Sequence, residues 1–214
     1  VPLGTWQALR FEVRPETIGR GPVAQAFPIL LEPDTNVASV GAAIDEALAI
    51  LEDHKQEWAA LDIDQRIELL EHLRDGVVAV ADRWMQAAME AKGMTVGTGE
   101  EGEEWLAGPG AIIKNISLLI ASLHDIDEHG VPQLPKAPYT RPDGQVVPPV
   151  FPADGWDSAP FMRFTTEVWM QPGVTLDNQS ENQAPFYRQK SRKGTHAVVP
   201  GAGNVASIGP MDAL

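Results

Sequence analysis

The feature that most constrains this chain is a change of apolar period at Val37. From there Val40, Ile44, Leu48, Leu51, Lys55 and Trp58 recur three or four residues apart, a spacing that aligns side chains on one stripe of an α-helix. A second stripe runs through Ile63, Ile67, Leu70, Leu73, Val77, Val80, Trp84 and Ala88. Asp62 stands where an N-cap is needed, and Gln65, three residues on, is placed to close a capping box. Two long helices joined at Ala60-Leu61-Asp62 are predicted, folded back as an antiparallel hairpin. Lys92-Gly93 ends the second helix, and Gly97-Thr98-Gly99 prolongs the break. The acidic run Glu100, Glu101, Glu103 and Glu104 reads as a solvated helix start at the positive end of the macrodipole, not as a cation site. Pro109 suits the first turn of a third helix, which continues through Ile112, Ile116, Leu119, Ile120 and Leu123.

Around this helical region, residues 37–126, the composition changes twice. Residues 1–36 carry Pro2, Pro15, Pro22, Pro28 and Pro33 among apolar side chains such as Trp6, Phe11 and Phe27. They read as an extended arm packed onto a surface. Residues 127–160 hold Pro132, Pro135, Pro138, Pro142, Pro148, Pro149, Pro152 and Pro160, and are expected to be irregular. His124, Asp125, Asp127 and His129 at their border have the look of a metal cluster, but such spacing arises readily at a helix end, and no metal site is assigned. Residues 161–193 begin with β-formers: Phe161 to Leu176 is predicted as a hairpin turning at Gln171-Pro172-Gly173. A polar connector follows with Arg188, Lys190, Arg192 and Lys193, assigned to pairing with the acidic remainder rather than to holding phosphate.

Charge and cysteine usage exclude several functions. With 16 basic and 30 acidic residues the formal charge is −14, which disfavours nucleic acid and anionic membranes as partners. Absence of cysteine removes disulfides, thiolate metal sites and a cysteine nucleophile from these 214 residues. No apolar run is expected to reach a membrane span, and Val1-Pro2-Leu3-Gly4-Thr5 has no basic then apolar leader pattern, so cytoplasmic residence is the expectation.

The chemistry concentrates in residues 194–214. Thr195-His196-Ala197-Val198-Val199 reads as a buried parallel strand leading into Pro200-Gly201-Ala202-Gly203-Asn204-Val205-Ala206-Ser207. Gly201, Gly203 and Ala206 fit G-x-G-x-x-A, a turn that admits a pyrophosphate to a helix N-terminus. Taken alone, that turn also suits another Rossmann-type dehydrogenase, and Asn204 suits a turn or helix cap. An acidic helical scaffold or interaction module without catalysis is the non-enzymatic alternative.

From residue 37 to 214 the order of these features resembles the aldehyde dehydrogenases and related acyl-CoA reductases. Gln56-Glu57-Trp58-Ala59-Ala60-Leu61, then Arg66-Ile67-Glu68-Leu69-Leu70, Leu73 and Trp84, are similar to that family's N-terminal helix pair. Val168 to Val174 resembles its oligomerisation strands. Gly194 to Asn204 resembles the strand and loop bearing its catalytic asparagine, usually written P-W-N. Here Gly203 replaces the tryptophan, and two extra residues separate Pro200 from Asn204. The resemblance implies an α/β fold, with N-terminal helices, an oligomerisation hairpin and the first strand of an incomplete doubly wound sheet. It implies oxidation of an aldehyde, or reduction of an acyl thioester, with NAD or NADP in a homo-oligomer. The attacking thiol, which forms a thiohemiacetal, would be supplied from a missing C-terminal part, leaving this chain inactive alone. Asn204 would donate to the developing oxyanion, and Pro200, Gly201, Ala202 and Gly203 would lie against the cofactor.

Overall fold

The computed structural model describes residues 37–158, 161, 163–189, 192–197, 199 and 207–213. The N-terminal arm lies outside them. The described chain is helix-rich, with two small antiparallel sheets: α1 (Val37–Ala60), α2 (Ile63–Lys92), α3 (Glu100–Trp105), a π-turn (Leu106–Gly110), α4 (Ala111–His129), β1 (Tyr139–Thr140), β2 (Val146–Val147), β3 (Pro149–Phe151), α5 (Gly155–Ser158), β4 (Thr166–Glu167), a 3₁₀ turn (Gln179–Asn182), α6 (Pro185–Arg188) and α7 (Ile208–Ala213). An α/β mixture is thus present in the broad sense. The chain divides into two compact units, one of residues 1–61, 80–111 and 192–214 and the other of residues 62–79 and 112–191.

Both long helices form where the stripes place them, and the capping box is made. The Gln65 amide donates to Asp62 Oδ1 at 2.8 Å, and the Asp62 amide donates to Gln65 Oε1 at 3.0 Å. The stripes mark the buried faces unevenly: the α2 stripe is buried at Ile67 and Val77 and exposed at Leu73, whereas the α1 stripe stays largely exposed. On α1, Ile44, Leu48, Leu51 and Trp58 are all more than 40% exposed, while Ala59 is buried. On α2 the buried line is Ile67, Val77, Ala81, Met85 and Met89, and Leu73 is exposed. Apolar residues such as Leu69, Leu70, Leu73, Val77, Val78 and Val80 cover so much of the circumference of α2 that periodicity alone leaves its phase open.

In the first unit the acidic run is not wholly solvated. Glu104 is buried and pairs with the Lys92 ammonium, while the Glu101 carboxylate accepts the Gly97 amide at 2.6 Å and the Trp105 indole at 3.3 Å. Pro109 does open a fresh helix: Gly108, with φ of −105° and ψ of −112°, breaks the helical run, and Pro109 directly after it begins the turn that leads into α4.

In the second unit α4 buries Ile112, Ile116, Ile120, Leu123 and Ile126. The helical run Glu100–His129 is long and apolar enough by composition to cross a membrane, which corrects the expectation that no such run exists. Within this run Lys114 is ion-paired, and Ile112, Ile116, Ile120, Leu123 and Ile126 are buried. Lys114 reaches Asp157 at 2.9 Å and Asp154 at 3.3 Å. Asp125 accepts the Gln133 amide at 2.9 Å, which gives one member of the His/Asp group a structural task.

The proline-rich segment is more ordered than its composition suggests. β1 and β2 form a hairpin, with Tyr139 opposite Val147 and Thr140 opposite Val146. Its turn closes through the Arg141 amide to Gln145 O and the Gly144 amide to Arg141 O, both 2.9 Å, with Gly144 at φ +88°. β3 pairs with β4, and the Val168 and Met170 amides continue the ladder to Pro148 O and Val146 O, both at 3.0 Å. Val146 and Val147 are therefore central and buried. The predicted hairpin over Phe161 to Leu176 is not what forms. Gln171-Pro172-Gly173 does turn, but the strand before it pairs with residues 146–151 instead of with the residues after it. Prolines permit this because the ladder uses the Pro148 carbonyl and needs no proline N–H.

Candidate functional site

Asn204, with Pro200, Gly201, Ala202, Gly203 and Ala206, lies outside the described residues, and so do Val198 and Val205. Its two flanks are described, and both are anchored within the first unit.

On the N-terminal flank, residues 192–197 run backwards along the end of α1. Arg192 Nη1 donates to the Leu61 carbonyl at 2.9 Å, Gly194 sits against Lys55, and His196 Nε2 lies 3.4 Å from Glu52 Oε2. The spacing has a simple cause. Four extended residues advance about 13 Å, and nine helical positions rise about as much, so an extended chain keeps pace with the helix from Leu61 to Glu52.

Gly194 is buried, and a Cβ there would stand 2.0 Å from the Lys55 carbonyl oxygen and 2.9 Å from the Lys55 Cβ, so only glycine lets the two backbones meet. The Lys55 ammonium, hydrogen-bonded to Glu52, holds that carboxyl below its ordinary value. Slight desolvation opposes the shift, and the charges of Lys55 and His196 add to it.

This flank corrects the expectation of a buried parallel strand. Thr195, His196 and Ala197 are exposed, Val199 is 37% exposed, and no strand is assigned here among the described residues. β-branched composition favours a strand only where a partner strand is available to complete the ladder. The anchor is instead a helix backbone, and Arg192 contributes to it through a main-chain carbonyl.

On the C-terminal flank, Ser207 is buried and its hydroxyl donates to the Ala107 carbonyl, and α7 begins at the next residue. Ala107 lies in the π-turn, where the broken helical ladder leaves carbonyls to be satisfied from elsewhere. Trp84 borders the same bend, its indole nitrogen 3.8 Å from where a Cβ on Gly108 would stand. The two described flanks of the segment that contains Asn204 are thus held by α1 on one side and by the bend on the other.

Of the helix-pair residues, Trp58 is exposed near the end of α1, and Arg66 is buried early in α2 with its guanidinium 5.6 Å from the Phe186 ring centroid. Sequence reasoning missed Gly194, His196 and Ser207 as anchors. Only Gly194 carried a signal, a glycine between a basic cluster and an apolar run. Comparison of the chain with protein families, with characterised proteins and with solved structures gave no match.

Proposed function

We propose that these residues are the leading part of an NAD(P)-dependent oxidoreductase of the aldehyde dehydrogenase kind, in which Asn204 stabilises the oxyanion formed on thiol attack. The observation that carries the reading is the two-sided anchoring of the turn: Arg192, Gly194 and His196 on α1 before it, and Ser207 on the π-turn after it. An oxyanion donor gains from being held where charge develops, so that no reorganisation is needed at the moment of reaction. A glycine-rich segment whose two flanks are held suits that requirement, and α7 follows its C-terminal flank.

Pro200, Gly201, Ala202 and Gly203 would lie along NAD or NADP, which would accept the hydride of the aldehyde. The chain's own contribution is a side-chain amide: Asn204 Nδ2 donates to the former carbonyl oxygen as it becomes negative. The sequence has no cysteine, so the thiol in this reading comes from outside these 214 residues.

The test uses the protein in which this chain is joined to its thiol-bearing part, assayed for aldehyde-dependent formation of reduced nicotinamide. Asn204→Ala should lower kcat by roughly 10²- to 10³-fold with little change in aldehyde or cofactor affinity. Asn204→Asp should be at least as damaging, because a carboxylate accepts where donation is needed. A near wild-type turnover for the Asp variant, with the Ala variant losing only thermal stability, would assign Asn204 to capping and overturn the proposal.

A second reading, an acidic interaction module without catalysis, is favoured by the exposed α1 stripe of Ile44, Leu48, Leu51 and Trp58. It expects no nicotinamide binding by the joined protein.

A further inference from the structure

Within the first unit, Ile44, Leu48 and Leu51 of α1 are 47%, 41% and 44% exposed. Steps of four and three residues set these three side chains on one side of the helix. Most helical stability in proteins comes from burying such a face, so α1 gains from whatever covers it. Its C-terminal end already carries residues 192–197, which leaves the stretch from Ile44 to Leu51 to another occupant.

The 36 residues that precede α1, which lie outside the described residues, offer one in composition, reach and charge. Phe27-Pro28-Ile29-Leu30-Leu31 is wholly apolar, and Glu32-Pro33-Asp34-Thr35-Asn36, which joins it to α1, has the composition of a turn. A reversal there would lay residues 27–31 back along the helix. Alternate residues of an extended chain stand about 6.6 Å apart, and Ile44 and Leu48, one helical step of four, about 6 Å. Counted from the reversal, Ile29 and Phe27 fall about 13 and 20 Å along α1, level with Ile44, Leu48 and Leu51 at about 10, 16 and 21 Å. Pro28 lacks an amide hydrogen, which costs nothing in a chain that lies on side chains rather than in a ladder.

Charge separates this occupant from a second copy. The helix α1 carries Asp45, Glu46, Glu52, Asp53 and Glu57 against Lys55, so two such helices side by side would set like charges together. Residues 1–31 carry Arg10, Arg14 and Arg20 against Glu12 and Glu16, a positive balance in a strongly acidic chain. A short tether also holds the segment near α1 at an effective concentration on the order of millimolar. We infer that Phe27, Ile29 and Leu31 cover Ile44, Leu48 and Leu51 of their own chain, so that an outside partner reaches this face of α1 only by displacing the arm. The inference does not depend on the role of Asn204.

The full chain has no cysteine, so introduced pairs report on proximity without background. Phe27→Cys is combined with Leu48→Cys, with Leu51→Cys or with Glu46→Cys, which lies on the opposite side of α1. In a glutathione redox buffer the faster of the two leucine-site pairs should close an intrachain disulfide at least tenfold faster than the Glu46 pair. Leu48→Cys alone should form covalent dimers no faster than Glu46→Cys alone. The double variant Phe27→Asp, Ile29→Asp should uncover the stripe and raise binding of a hydrophobic dye. Equal closure rates for the three pairs, dimers of the Leu48 variant that outrun those of the Glu46 variant, or unchanged dye binding would each overturn the inference.

Discussion

Replacing Gly194 by alanine adds one methyl group where the structure leaves no room for it. Its Cβ would meet the Lys55 carbonyl oxygen at 2.0 Å, and real Cβ contacts essentially never fall below 3.0 Å, so the two backbones must part by about 1 Å. The oxygen belongs to a helix and cannot swing aside as a flexible side chain would, so residues 192–197 must move. That movement puts the flanking bonds at risk, Arg192 to Leu61 O at 2.9 Å and His196 to Glu52 at 3.4 Å. Forcing an extra methyl into a filled site costs about 1–3 kcal/mol, and the exposed His196–Glu52 pair adds little. For a chain of this size, a loss of about 2 kcal/mol lowers Tm by roughly 4–8 °C. Thermal unfolding followed by circular dichroism reads the shift, and trypsin cleavage at Lys193 reads local detachment. Gly76→Ala is the matched control. Gly76 lies inside α2 with nothing within 4 Å of where the added methyl would sit, so alanine there should stabilise by about 0.5–1 kcal/mol through helix propensity. If Gly194→Ala melts with the wild type and cleaves no faster, residues 192–197 do not lie on α1 and the anchoring argument fails.

Two other outcomes follow from the second unit. Hydrogen bonding to Asp157 raises the Lys114 pKa, desolvation opposes, and Asp154 adds to the rise. A raised folded-state pKa means that the stabilisation is complete below the unfolded value, about 10.4, and is lost as pH climbs through the higher folded value. Lys114→Met should cost about 1–2 kcal/mol at neutral pH, below the cost of breaking a fully buried pair because the ammonium is 41% exposed. The gap from wild type in chemical denaturation should close as pH rises past that range, and a gap that widens there would refute the pairing. At the strand edge, the Val168 and Met170 amides are used within the chain, so alternation directs the Trp169 amide to the opposite edge. If that edge pairs with a second copy, Trp169→Pro should shift sedimentation to a smaller species while Trp169→Ala, which keeps the amide, does not. Equal behaviour of the two would place the subunit contact elsewhere.

How much of this was legible depended on whether the deciding interactions were local. The Asp62–Gln65 box spans three residues, and it can be read directly from the sequence. The β1–β2 hairpin is equally local, yet its composition hides it. Arg141-Pro142-Asp143-Gly144-Gln145 is a strong turn signal, but the surrounding prolines argue against strands, although a strand edge tolerates proline where only its carbonyl is needed. The burial of α1 was illegible for a different reason: which of several apolar rows becomes buried is settled by what packs against it, whereas on α2 the stripe's Ile67 and Val77 are buried. The same holds at the candidate site. Nothing within Arg192-Lys193-Gly194-Thr195-His196 announces that Gly194 meets Lys55, far earlier in the chain, because close approach belongs to the folded chain alone. Arg192 likewise reads as a cation seeking acid, and its guanidinium also serves the Leu61 carbonyl.

The deep burial of α2's methionines carries a consequence for oxidative chemistry. Cysteine is absent, so the readily oxidised sulfur in this chain is all thioether, spread over six methionines. Met211 is 37% exposed, whereas Met85 is 4% and Met89 0% exposed. A peroxide reaches the latter two only when the first unit opens, and a sulfoxide formed there is a polar group that the closed packing does not accommodate. Oxidation at Met89 would therefore act as a ratchet, recording each opening of the first unit and resisting its closure.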